Sequence, residues 1–188
     1  MTKSALRKLY KQKRIDLSHA VKDRLEDLLL IQFQGLHLEI PDTVMTWSPI
    51  EALNEYDPVL IEEYCFFKNP GTSLIYPVMD KATNSLKVAL VKEDTFFELN
   101  EFDIEEPMDG KETTPEAIGL MLVPLLAYDK NGHRVGYGKG YYDKLIKECR
   151  PGILKIGFSF FGPEIIDDTN DLDEKLDFCI TPEQVFQF

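Results

Sequence analysis

Residues 3 to 15 read as a helix, and after a break at Leu17 and Ser18 apolar positions recur at Val21, Leu25, Leu28 and Leu29. That spacing is the period of a helix with one buried face, so a second helix is predicted, capped by Ser18 and ended near Gly35. After Pro41 the run TVMTWS reads as a short strand, and DPVLIEEYCFFKN, with Pro58 at a helix-opening position, as a third helix. SLIYPVM and LKVALVK, joined by the turn-like DKATNS, read as two strands, and TFFEL as another. IGLMLVPLLAYD is apolar on both faces, as a central strand buried between two layers would be, and ILKIGFS and FCIT repeat that character more briefly. Between them a helix begins near Tyr141.

Alternating helical and extended segments predict an α/β protein with helices on both sides of a mostly parallel or mixed sheet. In such sheets ligands sit at the carboxyl ends of the strands. With 188 residues and no linker, one domain is expected, large enough to bury roughly 70% of the surface the unfolded chain exposes.

Charge narrows the partners. The chain carries 33 acidic and 21 basic residues, a net charge of −12, which repels phosphate backbones and anionic membranes unless basic residues cluster. Neither nucleic acid nor a membrane is expected as a partner. The longest apolar run is too short to span a bilayer and the charged start MTKSALRKLYKQKR lacks a signal-peptide core, so a cytoplasmic location is expected. Cys65, Cys149 and Cys179 lack ligand spacing and read as reduced thiols without a metal. A monomer is expected, with a weak dimer as the alternative. The acidic stretch near residues 160 to 177 reads as an exposed, solvated loop, and the three histidines as surface or solvated groups without a role.

RVGYGKGYYDKLI, residues 134 to 146, is the segment with chemistry in it. Gly136, Gly138 and Gly140 stand at every second position ahead of the helix, leaving amides unobstructed at a helix N-terminus, where the dipole favours an anion. Arg134 and Lys139 add cationic donors, and Asp143 a hard oxygen suited to Mg²⁺. The glycine spacing alone also fits a turn that caps a helix. It is neither the GxxxxGK[ST] of a Walker loop nor the GxGxxG of a dinucleotide fingerprint.

The longer string LLAYDKNGHRVGYGKGYYDKLI resembles the signature of the 5-formyltetrahydrofolate cyclo-ligase (methenyltetrahydrofolate synthetase) family, where a PxLAFD..G.RLGYGKGYYD stretch lines the nucleotide site. Lys3, Leu6 and Arg7 match the family's opening K..LR, and Lys3, Arg7, Lys11 and Arg14 lie along one helical stripe. NEYDPVLI resembles the segment whose glutamate holds the pterin end of folate, making Glu55 its counterpart, although Pro58 departs from the pattern. FDIEEP resembles the family's aromatic-x-I-x-x-P element, with Phe102 as the ring that packs on the pterin; without the family, Phe102 would be read as a core residue. GPEIIDDTNDLDEKLDFCIT keeps Pro163, Glu164, one of Asp167 or Asp168, Asp177 and Thr181 of a C-terminal element but is longer and lacks its histidine.

The resemblance implies a three-layer α/β/α domain of the NagB/RpiA/CoA-transferase-like fold and an enzyme that uses ATP and Mg²⁺ to close 5-formyltetrahydrofolate to 5,10-methenyltetrahydrofolate. It assigns Lys3, Arg7, Arg134, Lys139 and residues Gly136, Tyr137, Gly138, Gly140, Tyr141 and Tyr142 to ATP. Glu55, Phe102, Tyr142 and Trp47 are assigned to folate, and Asp143 to the metal. Arg134, Lys139 and Tyr142 are the expected catalytic groups. A non-catalytic folate or nucleotide binder, a divergent relative with another substrate, and an isomerase or CoA-transferase of the same fold are the alternatives.

Overall fold

A computed structural model describes residues 1–188. Its helices are α1 (Lys3–Ile15), α2 (His19–Gly35), α3 (Val59–Lys68) and α4 (Tyr141–Glu148). Its strands are β1 (Thr43–Met45), β2 (Ser73–Asp80), β3 (Ser85–Leu90), β4 (Phe97–Leu99), β5 (Glu105–Pro107), β6 (Lys111–Thr113), β7 (Leu120–Val123), β8 (Ala127–Tyr128), β9 (Arg134–Val135), β10 (Leu154–Phe158), β11 (Phe178–Ile180) and β12 (Val185–Gln187). Thr2 and Ser18 cap α1 and α2, each side-chain oxygen accepting from the amide three residues on.

Eight strands form one sheet in the order β12-β11-β10-β7-β1-β2-β3-β6. The pairings from β11 through β10, β7 and β1 to β2 are parallel, and the flanking β12, β3 and β6 join antiparallel. Side-chain alternation along β7 shows the two buried faces expected of a central strand. Leu120 and Leu122 pack with Leu29 and Phe33 of α2 and Ile61 and Cys65 of α3, while Met121 and Val123 pack with Leu145 and Ile146 of α4. The molecule is a three-layer α/β/α domain, as expected.

TFFEL forms a strand as expected, but β4 pairs with β5 in a ribbon apart from the main sheet, where Phe96 and Leu99 stay exposed. One expectation is corrected: the run 118–128 is not one strand. β7 stops at Val123 because Pro124 has no amide to continue the ladder, and Ala127 and Tyr128 open a small β8–β9 hairpin. Leu6 and Tyr10 of α1 pack on that hairpin through Leu126, Ala127 and Val135.

The connections set the place of a site. From β1 the chain steps to β2 on one side and later resumes at β7 on the other, so the winding reverses between β1 and β7. A crevice opens outside the carboxyl ends of strands at such a point. No helix is long and apolar enough to cross a membrane. The three cysteines are free; Cys65 and Cys179 are buried, and burial pushes the Cys65 thiol up to about 12.

Glu62 of α3 is buried without a cation. Its carboxylate accepts from Thr46 Oγ1 at 2.5 Å and from the Tyr76 hydroxyl at 3.2 and 3.3 Å. Burial holds its pKa above the ordinary value despite those two donors. A raised folded pKa means that this group's stabilising contribution is complete below the unfolded value and is lost as pH rises through the folded one. Glu62→Gln should therefore become more stable relative to the parent as pH rises from about 4 to about 8 in denaturant titrations; a constant difference across that range would contradict it.

Candidate functional site

The crevice is a cavity of about 690 Å³. Trp47 and Ser48, just past β1, and Pro124, just past β7, form its floor at the point where the winding reverses. Its lining is cationic where Lys3, Arg7 and Lys11 of α1 and Lys139 and Arg134 of the glycine loop contribute. Pro77, Met79, Leu86, Phe102 and Ile104 add apolar surface.

The glycine loop has the geometry its composition suggests. Gly138 and Gly140 adopt positive φ of 98° and 69°, a region costly for other residues. Gly140 opens α4, whose N-terminus, unlike those of α1 and α2, has no side-chain cap. Its first amides are therefore left for an anion. Arg7 donates from Nε to the Gly136 carbonyl at 2.9 Å. A Cβ on Gly138 would lie 3.1 Å from the Arg7 guanidinium, so the bare backbone also makes room for that arginine.

Arg134 and Asp143 meet as a pair, Nη2 to Oδ1 at 2.9 Å. Arg134 Nη1 donates to the Glu174 carbonyl, and the Glu174 amide donates to Asp143 Oδ1 at 3.1 Å. Two guanidinium donors are thus spent inside the protein, and one carboxylate oxygen of Asp143 with them. No group of three or more His, Cys, Asp or Glu side chains could hold a metal ion. Mg²⁺ commonly takes one or two carboxylates and fills its octahedron with phosphate oxygens and water, and Asp143 Oδ2 fits that mode, whereas a cage of protein ligands does not exist.

The expectation of an exposed, solvated acidic loop holds only in part: Asp167, Asp168 and Asp171 are exposed, but the segment is tied to α1. Asp168 accepts from the Lys3 amide at 2.6 Å, Asp173 pairs with Lys3 Nζ at 2.5 Å, and Glu164 accepts from the Tyr10 hydroxyl at 2.6 Å. The segment clasps the start of α1 and reaches the cavity at Asp173. His133 is not solvated either: its Nδ1 lies 3.0 Å from Asp129 Oδ2, in the turn of the β8–β9 hairpin.

At the floor, Glu55 is only 2% exposed. Its Oε1 accepts from the Tyr137 hydroxyl at 2.6 Å and its Oε2 from the Ile50 amide at 2.9 Å. Arg14 Nη1 lies 3.5 Å from Oε1. Burial raises the Glu55 pKa, opposed first by the charge of Arg14. Phe102 is 43% exposed and lines the cavity, which overturns its reading as a core residue and agrees with a stacking wall. Trp47 is buried beside Tyr56, with ring centroids 6.1 Å apart, and its indole N–H has no partner; the Tyr142 hydroxyl is likewise buried without one. Burial pushes the Tyr142 hydroxyl far up, so it remains a neutral donor. Tyr141 instead bonds Asn84 Oδ1 at 2.9 Å and ties α4 to the β2–β3 turn.

All of the residues assigned from the sequence therefore border this one cavity. Arg14, the side chain of Tyr137, Asp173 and the β2–β3 wall of Pro77, Met79 and Leu86 were missed. Only the helical stripe that includes Arg14 hinted at any of them.

An uncapped helix N-terminus with left-handed glycines and exposed aromatic surface border one cavity of this α/β protein. The family model of the 5-formyltetrahydrofolate cyclo-ligase family matches residues 66–162. The 5-formyltetrahydrofolate cyclo-ligase of Mycoplasma genitalium is 30% identical over 95% of this chain and 96% of its own length, and that of Mycoplasma pneumoniae 27% identical over 97% and 100%. The solved structure of the Aquifex aeolicus 5,10-methenyltetrahydrofolate synthetase superposes with a TM-score of 0.81 at 28% identity, covering 100% of this chain and 93% of that one. The chain belongs to the 5-formyltetrahydrofolate cyclo-ligase family and is an enzyme of that class.

Because Asp143 holds Arg134 in place, Asp143→Ala should cost stability as well as activity. A buried guanidinium robbed of its carboxylate should lose about 1–3 kcal/mol, a fall of about 2–4 °C in Tm per kcal/mol for a domain of this size. Differential scanning fluorimetry would read it, and an unchanged Tm would show that the pair contributes nothing.

Proposed function

We propose that the protein uses ATP to cyclise 5-formyltetrahydrofolate to 5,10-methenyltetrahydrofolate, releasing ADP and phosphate. The observation that carries this reading is the uncapped N-terminus of α4, with Gly138 and Gly140 in the left-handed region, opening onto the same cavity as Phe102 and Glu55. A phosphate held at the first and a ring held at the second would meet within one enclosure.

The chemical obstacle is a formamide oxygen that does not leave when N10 attacks. Transfer of the γ-phosphoryl group to that oxygen makes it a phosphate; N10 then bonds to the formyl carbon, its proton is lost, and phosphate departs with the old carbon–oxygen bond. The enzyme's share is alignment and charge stabilisation. In this proposal the amides of residues 136 to 141 hold the phosphates, and Lys3, Arg7, Lys139 and the free donors of Arg134 balance their charge. Lys139 is exposed at the loop and available for the transferring group. Mg²⁺, when bound, would neutralise phosphate oxygens, with Asp143 Oδ2 as its protein ligand.

Glu55 accepts from pterin N–H groups, Phe102 and Trp47 form the apolar wall, and Tyr142 stands between the two ligands with a hydroxyl that has no protein partner. The orphaned Trp47 N–H would find its acceptor on the substrate. The protein would work in the cytoplasm as a monomer on two small molecules, without a membrane or nucleic-acid partner.

Purified protein with 5-formyltetrahydrofolate, ATP and Mg²⁺ should develop the near-ultraviolet absorbance of the methenyl product, and mixtures lacking ATP or metal should not. No signal from folded, ATP-binding protein would mean a different substrate. Gly138→Val forces a β-branched residue to positive φ and crowds Arg7; strain of about 1–3 kcal/mol should raise KM for ATP on the order of tenfold or more. Normal ATP saturation would refute the cradle.

A further inference from the structure

Arg14 is charged, 3% exposed and absent from the wall of the cavity, yet each group it touches belongs to the site or supports it. It stands in the last turn of α1. Nη1 donates to the Tyr137 hydroxyl at 3.0 Å and lies 3.5 Å from Glu55 Oε1. Nη2 donates to the carbonyl of Leu125, one residue past Pro124. Its own carbonyl accepts from Asn54 Nδ2 at 2.7 Å, next to Glu55 in the chain. One side chain therefore spans α1, the end of β7, the glycine loop and the segment that carries Glu55.

A buried cation is costly unless paired and hydrogen-bonded, and this one is satisfied by groups whose geometry a ligand would feel. We infer that Arg14 is a positioning residue: it clamps Glu55 and Tyr137 to each other and so fixes the carboxylate that faces the pterin ring. The inference rests on the reading of Glu55 as the pterin acceptor.

The clamp has a steric and an electrostatic part. A carboxylate has about four acceptor positions; Tyr137 and the Ile50 amide occupy two and Arg14 lies against Oε1, so only the positions left over serve ring N–H groups. Those positions point usefully only while Glu55 is held and ionised. Burial favours its protonated form, and the charge of Arg14 is the first of the influences that oppose this, followed by the hydrogen bonds of Tyr137 and Ile50. The groups facing Glu55 are Arg14 from α1, Tyr137 from the glycine loop, Ile50 from its own segment and, from α4, Tyr142, whose hydroxyl is pushed up in part by Glu55. Arg14 supplies the one positive charge that pairs with it.

The test compares Glu55→Gln, Arg14→Met, Arg14→Lys and Tyr137→Phe by steady-state kinetics with each substrate varied, from about pH 6 to about pH 9. Glu55→Gln should raise KM for the folate and leave KM for ATP near its parent value; an unchanged folate KM would refute the reading of Glu55 and the clamp with it. Arg14→Met should raise the folate KM about tenfold or more near pH 7, as expected for a lost charged hydrogen bond. That defect should shrink as pH rises, because removal of the cation that opposes burial shifts Glu55 further toward its protonated form, and rising pH restores the charge. Arg14→Lys should recover much of the loss by restoring the charge.

A merely structural arginine would lower Tm and leave the folate KM and its pH profile unmoved, and that result, alongside a damaged Glu55→Gln, would overturn the clamp alone. Should Arg14→Met not fold, Tyr137→Phe decides. Removal of the bridging hydroxyl should raise the folate KM in the same pH-dependent direction by about threefold, and a parent-like profile would refute the clamp.

Discussion

Two arginines of one short helix hold the site together. Arg7 bonds the carbonyl of Gly136, and Arg14 reaches Tyr137, Glu55 and Leu125 seven residues later on the same helix. Neither contact is local in sequence. The glycine loop leans on α1 because its own hairpin is only two residues to a strand. The helix in turn is seated by apolar packing of Leu6 and Tyr10 on that hairpin, so burial provides the free energy and the arginines provide the aim.

Much of the sheet could be read from the chain because central parallel strands need apolar residues on both faces, and Leu120 to Val123 supply them in succession. The caps at Ser18 and Pro58 were legible for the same local reason. Short edge strands were not. Lys111–Thr113 is KET, whose only claim to strand structure is the partner β3 alongside it.

The site divides along the same line. The glycines declare themselves through their spacing, but the use made of a charged residue depends on what the fold brings to it. A stripe of four cations on α1 looks like a solvated face, and the fold sends Arg14 into the interior while giving Lys3 an aspartate 170 residues away. The acidic segment divides in the same way: Asp167 and Asp171 stay exposed as its composition suggests, while its position makes Glu164, Asp168 and Asp173 a clasp on the helix.

That clasp bears on how the protein comes to be made. Lys3 is joined to Asp168 and Asp173 across separations of 165 and 170 residues, so the start of α1 is anchored by a segment that is made long after it. Chains fold from the N-terminus as they are synthesised, so α1 meets its apolar seat on the β8–β9 hairpin before the clasp that holds its first turn has emerged. Nascent chains halted before residue 168 would lack Asp168 and Asp173, both partners of Lys3, and with Asp173 one residue of the cavity wall.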